Sequence, residues 1–212
     1  MTGAMVDPHH VLAWLTGRSL ARGVSLPVPD HGGYRVDTRS DVEVSRWIYP
    51  TVNDGLSQLA RSLHAPGYLL KWLGEADAVR AVLPNDWHIQ PPAYFMQAGD
   101  DLAEPSTPKG YRIAMSRTDQ VITVRILDDG GALAASGYAA DTPDAFVYDR
   151  IVTAPEHRRK GLGRALMAAL GSAKRHASAP SLLTATEEGR ALYTTLGWRT
   201  ISPYWTAEIL AA

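Results

Sequence analysis

The sequence contains no cysteine, and this absence limits the chemistry that is open to the chain. Disulfide bonds, thiolate metal sites and a cysteine nucleophile are all excluded, although the redox compartment stays undetermined. No apolar run approaches the roughly 20 residues that a membrane-spanning helix needs. Residues 1–10 lack the basic start and apolar stretch of a secretory signal peptide. We therefore expect a cytoplasmic protein with no membrane partner.

Net charge is also nearly absent, but the charge is unevenly distributed. The 212 residues carry a formal charge of -1, whereas residues 149–175 contain seven Lys and Arg against two acidic residues. The rest of the chain is therefore acidic. A uniformly basic surface would favour nucleic acid, while one basic segment on an acidic body favours a small polyanionic ligand at one place. We expect no nucleic-acid partner.

Hydrophobic residues are abundant enough, at 45%, to bury a sizeable core. Periodicity and turn residues predict elements in a mixed order, which indicates the α/β or α+β class. The predicted helices span 11–22, 42–48, 52–63, 162–177 and 187–196. The predicted strands span 33–38, 67–73, 89–96, 120–127, 132–140, 145–153, 181–185, 198–201 and 205–210. No internal repeat is visible, and residues 98–110 have the composition of a long loop.

The basic segment is centred on HRRKGLGR at 157–164, between a predicted strand and a predicted amphipathic helix. Glycines at a helix start leave backbone N–H groups open to approach, and the helix dipole adds positive charge there. Donors and cations together favour a ligand with phosphates, the alternative being a solvated basic loop. Leu166 stands where a dinucleotide fingerprint needs its third glycine, and the Gly-Lys-Ser/Thr of a P-loop is absent. Neither nucleotide-binding motif is supported.

Two motifs follow each other near the C-terminus: Arg158-x-x-Gly161-x-Gly163, and ALYTTLGW at 191–198. In this order they resemble the acetyl-CoA diphosphate loop and the Leu-Tyr-x-x-x-Gly-Phe segment of the GNAT superfamily of N-acetyltransferases, with Trp198 where phenylalanine is usual. The resemblance is best over 120–212. It implies the GNAT fold, a mixed central sheet flanked by helices, with the acetyl-CoA-binding core at 111–212.

A weaker similarity, at residues 34–41, concerns the N-terminal region 1–110. It implies that residues 33–63 form the first strand and two helices of the GNAT core. Residues 64–110 would then be an insertion. Three tryptophans of this region, Trp47, Trp72 and Trp87, are expected to pack in the core or within the insertion rather than to form a substrate cage.

The resemblance implies that acetyl-CoA is the cosubstrate and is held by the end of one strand and the glycine loop that follows. The implied cofactor-binding residues are Ile151, Val152, Thr153, Arg158, Arg159, Lys160, Gly161, Leu162, Gly163 and Arg164. Thr186 stands where an asparagine often contacts the cofactor in the family. We expect no metal, because His9 and His10 have no further ligand at a suitable spacing.

Two residues match catalytic positions of the family. Tyr193 would protonate the departing CoA thiolate, since a phenol with a pKa near 10 stays protonated at pH 7; alternatively its ring packs beneath the loop. Asp149 would act as general base for an alkylamine that is only about 0.04% neutral at pH 7. Asp149 could equally be the ion-pair partner of Arg150 or Arg175, and the sequence leaves this open.

The resemblance implies an acyltransferase in which an amine attacks the thioester directly within a ternary complex. The acidic remainder of the chain favours a primary amine of a small molecule as acceptor, such as a metabolite, an amino acid or an amine drug. The alternatives are protein lysines or N-termini, aminoacyl-tRNA, or a non-catalytic acyl-CoA-binding module. Acyl-chain length and oligomeric state, including a homodimer, are left open.

Overall fold

The computed structural model describes residues 6–99 and 106–210, so residues 100–105 of the predicted long loop lie outside the described part. The helices are α1 Pro8–Arg22, α2 Asp54–Ser62, α3 Asp77–Arg80, α4 Leu162–Gly171 and α5 Glu187–Thr195. The strands are β1 Val28–Asp30, β2 Gly33–Asp37, β3 Ser45–Tyr49, β4 Tyr68–Leu73, β5 Trp87–Ile89, β6 Ala93–Ala98, β7 Tyr111–Thr118, β8 Val121–Asp128, β9 Leu133–Asp141, β10 Phe146–Thr153, β11 Ser181–Ala185 and β12 Trp198–Ile209.

The strands form one mixed sheet whose order repeats the same topology twice. The order is β1-β2-β3-β4-β12-β6-β11-β10-β9-β8-β7, with β5 beside β12. In each unit three antiparallel strands are followed by a helix, a fourth strand parallel to the third, another helix and a last strand. The first unit has one additional short strand, β5, before its last strand. We call residues 28–98 the first unit and residues 121–209 the second unit. The chain thus contains a structural repeat that its sequence does not reveal.

The last strand of each unit pairs with a strand of the other unit. β12 of the second unit pairs antiparallel with β4 of the first, and β6 of the first unit pairs antiparallel with β11 of the second. β6 and β12 pair with each other at the centre of the sheet. The sheet is therefore continuous across residue 111, and residues 64–110 supply strands to its middle.

Helices cover both faces of the sheet. Side chains alternate between the two faces along each strand, so each strand contributes to a core on either side. α1 packs on one face against a buried cluster that includes Val147, Phe95, Tyr204 and Ile48. On the opposite face, α4 and α5 cover the strands of the second unit, and α2 covers those of the first unit. The three tryptophans at 47, 72 and 87 are buried in the cluster beneath α2, which confirms the prediction of core packing.

The mixed sheet with flanking helices confirms the predicted class, but some predicted elements are wrong. The helix predicted at 42–48 is wrong, because Ser45–Tyr49 is a strand whose five residues are all buried. A strand buried on both faces shows no alternation to distinguish it from a helix. The predicted first strand and two helices at 33–63 are therefore two strands and one helix.

Near the C-terminus the strands predicted at 198–201 and 205–210 are one long strand, β12, with an irregular register between Thr200 and Ser202. The helix predicted to reach residue 177 ends at Gly171. The sequence patterns missed β1, β5, β7 and α3, three of which are only three or four residues long.

Candidate active site

β10 and β11 begin as a parallel pair and then separate. They pair only at Phe146 with Ser181 and at Val147 with Leu182. β10 continues to Thr153 along β9, with a register shift between Asp149 and Val152. We call the gap between residues 148–153 of β10 and 183–185 of β11 the wedge. The backbone of β10 on the wedge side is therefore free of strand partners among the described residues.

The residues predicted to line this strand end lie along the wedge. Ile151 and Thr153 are half-buried, while Val152 is 57% exposed. Ile151 packs on Gly137 of β9 so closely that a Cβ at position 137 would lie 2.6 Å from Ile151 Cδ1. This contact holds β10, the outer strand of the wedge, against β9.

The loop between β10 and α4 presents a set of backbone donors that have no protein partner among the described residues. Among the described residues, none of the backbone N–H groups from Arg159 to Arg164 donates a hydrogen bond to a protein acceptor. Gly161 is the N-cap residue of α4 and provides no side-chain cap. Because the first-turn amides have no partner within the helix, they are available to an anion.

Four cations surround these donors. Arg158, Arg159, Lys160 and Arg164 are all exposed. Within the described part of the chain, none of the four forms a salt bridge with a carboxylate. The positive charge predicted from the sequence is therefore concentrated at one helix start, where the dipole of α4 adds to it.

The two positions of the loop that hold glycine require it for different structural reasons. Gly161 has a φ of 80°, a left-handed conformation that L side chains rarely adopt. Gly163 lies close to α5, so that a Cβ there would come within 2.9 Å of Leu192 Cδ2. One glycine shapes the turn and the other lets the two helices approach, with the buried Leu162 anchoring the turn between them.

His157 anchors the start of the loop to the outer strands. Its Nδ1 lies 3.0 Å from the hydroxyl oxygen of Tyr111, and its Nε2 lies 3.8 Å from Asp128 Oδ2. These contacts reach β7 and β8. The sequence analysis did not single out Tyr111, since no local pattern links it to a residue 46 positions away.

Tyr193 lies on α5 and is buried, with its ring 6.1 Å from that of Trp198. Burial raises the pKa of Tyr193 to about 12. The hydroxyl therefore stays protonated at neutral pH and can donate a proton. Tyr193 also belongs to the hydrophobic cluster beneath α4, so it has the packing contacts that the alternative interpretation requires.

Thr186 is the N-cap residue of α5. Its side-chain oxygen accepts a hydrogen bond of 3.2 Å from the backbone N–H of Gly189. The residue follows directly after β11, so it stands at the end of the inner strand of the wedge. Its hydroxyl hydrogen is still available to a ligand after the capping bond has formed.

Asp149 lies on the α1 side of β10 and is held by two arginines of α1. Its Oδ2 accepts from Arg22 Nε at 2.6 Å, and its Oδ1 accepts from Arg22 Nη2 at 3.0 Å and from Arg18 Nη1 at 3.2 Å. Arg150 Nε is 3.7 Å from Asp149 Oδ2, whereas the backbone N–H of Arg175 donates to Asp141 instead.

The contribution of α1 was missed by the sequence analysis. Arg18 and Arg22 are four residues apart and so share one face of the helix, a spacing that indicates a common charged partner. The spacing alone does not identify that partner, which lies 127 residues or more away along the chain. Close packing brings the two together: a Cβ on Gly17 would lie 2.5 Å from Val147 Cγ2.

The comparisons with known proteins agree with this geometry. Residues 119–200 match the family model of the acetyltransferase (GNAT) domain. No curated protein matches the chain in sequence. Among the described residues, no helix has the length and apolar character that crossing a membrane requires.

Solved structures share the fold over nearly the whole chain. A GCN5-related N-acetyltransferase from Kribbella flavida has a TM-score of 0.68 at 14% identity, covering 100% of this chain and 98% of that one. A putative GNAT-family acetyltransferase from Novosphingobium aromaticivorans has a TM-score of 0.59 at 17% identity, covering 97% and 100%. A GCN5-related N-acetyltransferase from Sphaerobacter thermophilus has a TM-score of 0.59 at 12% identity, covering 99% and 95%.

These structural similarities show the fold, and the family match covers the segment that contains the wedge, the glycine loop and Tyr193. The chain therefore has the fold of a solved GCN5-related N-acetyltransferase, and its residues 119–200 match the GNAT acetyltransferase domain.

Proposed function

We propose that the chain is an N-acetyltransferase that moves an acetyl group from acetyl-CoA to a primary amine of a small molecule. The observation that carries the proposal is the set of free backbone donors from Arg159 to Arg164, surrounded by four cations without salt-bridge partners among the described residues. These donors follow directly after β10, the outer strand of the wedge. The rest of a ligand whose diphosphate binds at the loop would therefore extend along β10.

The residues present fit acetyl-CoA as cosubstrate. The amides of residues 159–164 would hold the diphosphate, with Arg158, Arg159, Lys160 and Arg164 adding Coulomb attraction. The unpaired backbone of Ile151, Val152 and Thr153 offers N–H and C=O groups to the amides of the pantetheine arm, with Thr186 offering its hydroxyl from the facing strand end. When bound, acetyl-CoA supplies an acyl group activated as a thioester, which is why no cysteine is needed.

Tyr193 is proposed as the acid that protonates the CoA thiolate. Its hydroxyl is protonated over the whole physiological range, because burial raises its pKa to about 12. A neutral donor in an apolar site can stabilise a developing negative charge and deliver a proton as the amide product forms.

For Asp149 the geometry favours the ion-pair interpretation over the general base. A carboxylate that accepts three hydrogen bonds from two guanidinium groups has few lone pairs left for a substrate proton. We propose that Asp149 positions α1 against β10 and thereby sets the width of the wedge. The attacking amine must still lose a proton, so the rate should rise with pH toward the pKa of the acceptor.

Calorimetric titration with CoA, followed by a CoA-release screen over amines, amino acids and amine drugs, tests the proposal. We expect micromolar binding and CoA release with at least one small amine. Binding without release by any amine would favour a non-catalytic acyl-CoA-binding module, and failure to bind CoA would refute both. Release only with peptide or aminoacyl-tRNA acceptors would favour the macromolecular alternatives, which the acidic remainder of the chain makes less favourable for tRNA.

We propose that the enzyme is cytoplasmic. Concentration of positive charge at the loop, rather than over a whole face, supports a small ligand instead of a nucleic acid.

A further inference from the structure

The α1 face of the sheet holds several cations whose charge is only partly balanced. α1 and the strands of the first unit bring together Arg18, Arg22, Arg46 and Lys71. The carboxylates that face them are Asp149, Glu43 and Glu208. Each of these carboxylates already has its own partner: Asp149 accepts from the α1 arginines, Glu43 accepts from Arg46, and Glu208 accepts from Gln90.

Arg18 bridges the two strands of the wedge while leaving one edge of its guanidinium unused. Its Nη1 donates to Asp149 on β10 at 3.2 Å and to Thr184 on β11 at 3.4 Å. Its Nε is buried and has no hydrogen-bond partner among the described residues. A buried donor without an acceptor is destabilising, and the Nε edge of a guanidinium matches the two oxygens of a carboxylate.

Lys71 of β4 is a second buried cation with no carboxylate of its own. Its Nζ donates to Thr206 Oγ1 at 2.8 Å and lies 5.7 Å from the centre of the Tyr204 ring. Within the described residues no carboxylate oxygen lies within salt-bridge distance of this nitrogen. Burial lowers the pKa of Lys71 to about 7, and the charges of Arg46 and Arg18 lower it in the same direction. An anionic ligand would stabilise the charged amine.

Buried aromatic rings connect the two cations. Arg18 lies over the ring of Trp14 at 5.6 Å, and the Trp14 ring contacts that of Tyr204 at 5.4 Å. Tyr204 in turn lies beneath Lys71. A chain of aromatic contacts therefore runs from the guanidinium of Arg18 to Lys71 on the α1 face of the sheet.

We infer that the acceptor carries a carboxylate as well as an amine, and that Arg18, supported by Lys71, binds this carboxylate on the α1 side of the wedge. The inference rests on the proposed acetyl transfer and narrows its substrate class to amino acids or amines with an acidic group. The overall acidic charge of the chain favours a cationic amine. The buried charge of Arg18, however, is closer to a ligand in the wedge and is less screened by salt, so it has the stronger effect on the acceptor.

The experiment compares product pairs that differ only in this group. N-Acetylglycine, N-acetyl-β-alanine and N-acetyl-L-leucine are titrated calorimetrically into the CoA-loaded protein, each beside its primary amide. We expect at least one acid to bind about 10-fold more tightly than its amide, the size of effect typical of a hydrogen bond to a charged group. If no acid binds more tightly than its amide, the inference is overturned.

Variants locate the preference. Arg18→Gln should reduce the acid-to-amide ratio to within about 2-fold, and Lys71→Met should reduce it partly. Arg61→Gln, at an exposed arginine of α2, should leave the ratio unchanged. If Arg18→Gln does not fold, as judged by circular dichroism, Lys71→Met alone decides, and an unchanged ratio in that variant contradicts the inference.

The same titrations separate this inference from the proposed function. The pairs are also titrated into protein without CoA, where a preference for the acid would still report the carboxylate site. Failure to bind CoA, with the acid preference intact, would count against acetyl transfer and not against the site.

Discussion

The two units of the sheet have the same topology but differ at the point where their parallel strands meet a helix. In the second unit β10 and β11 share two register pairs and then separate. In the first unit β3 and β4 stay paired over five, from Ser45 with Tyr68 to Tyr49 with Trp72. A gap is open in one unit and closed by backbone hydrogen bonds in the other.

The helix starts differ in the same way. α4 begins at an uncapped glycine among exposed cations. α2 begins at Asn53, whose side chain accepts from the backbone N–H of Leu56 at 3.2 Å, and Asp54 places a negative charge in the first turn. The Asn53 side chain also donates to the carbonyl of Gly32, so the β1–β2 turn covers this helix start.

Two units of the same topology therefore differ in whether their helix start offers groups that could bind an anion. Free donors, an open strand pair and positive charge must coincide, and only the second unit combines them. The first unit instead supplies β6 to the centre of the sheet and a tryptophan-rich core. The predictions below test this division of roles.

The largest effect is expected from placing a carboxylate at the glycine loop. Gly161→Asp should weaken CoA binding about 100-fold, or about 2.7 kcal/mol, because it adds negative charge and strains a left-handed residue. Calorimetry measures the affinity, and the wild-type titration should saturate at one CoA per chain. Two equivalent CoA sites per chain would contradict the claim that only the second unit can bind CoA.

Gly23→Asp is the matched control for backbone strain. Gly23 is also left-handed, with a φ of 64°, and a Cβ there meets no atom within 4 Å. This variant should keep the wild-type affinity for CoA. Equal losses in the two variants would mean that strain, and not the anion site, explains the effect.

A smaller effect is expected at Tyr193. Tyr193→Phe should lower kcat about 30-fold, or about 2 kcal/mol, with unchanged CoA affinity, because the thiolate loses its proton donor. Steady-state CoA release and calorimetry measure the two quantities. Tyr68→Phe, at a partly buried tyrosine that packs against the core of the first unit, should leave kcat unchanged. A drop in CoA affinity equal to the drop in kcat would instead indicate a packing role for Tyr193.

Removing the cap of α2 should affect stability alone. Asn53→Ala should lower the free energy of unfolding by about 1 kcal/mol, since a cap and its bond to Gly32 are lost. Denaturant unfolding measures this change. The variant should still bind one CoA per chain. A second bound CoA would show that the cap alone prevents the first unit from binding CoA.

The smallest effect concerns equivalent aspartates, Asp141 at the end of β9 and Asp37 at the end of β2. Burial raises the pKa of Asp141, but hydrogen bonds from His176, Arg175 and Arg117 outweigh burial and hold it below its usual value. A depressed pKa contributes stability above the unfolded-state pKa of about 4, and this stability is lost as pH falls through the folded-state value.

Unfolding measured from pH 6 to pH 3 should therefore show a steeper acid loss in the wild type than in Asp141→Asn. Asp37, whose side chain is 29% exposed, is the matched position in the first unit. The same measurement on Asp37→Asn controls for the loss of a carboxylate at the equivalent strand end. Parallel curves for the wild type and Asp141→Asn would contradict the expected role of Asp141.

Local sequence patterns predicted most of the second unit, because its elements alternate or cap clearly. The strand at 181–185, for example, has the predicted bounds, and the helix predicted at 187–196 ends one residue earlier. The pattern failed at β3, whose burial on both faces removes periodicity. It also gave no sign of the exchange of β6 and β12, since strand order depends on contacts between distant segments.

The sequence by itself predicted a loop suited to an anion, because glycines and cations within eight residues act locally at a helix start. Tertiary structure alone decided that two units share one sheet and that only one of them stays open. It also placed Arg18 and Arg22 on Asp149, a contact between residues more than a hundred positions apart that no local pattern specifies. Backbone pairing and long-range packing made these choices, and both depend on the whole chain.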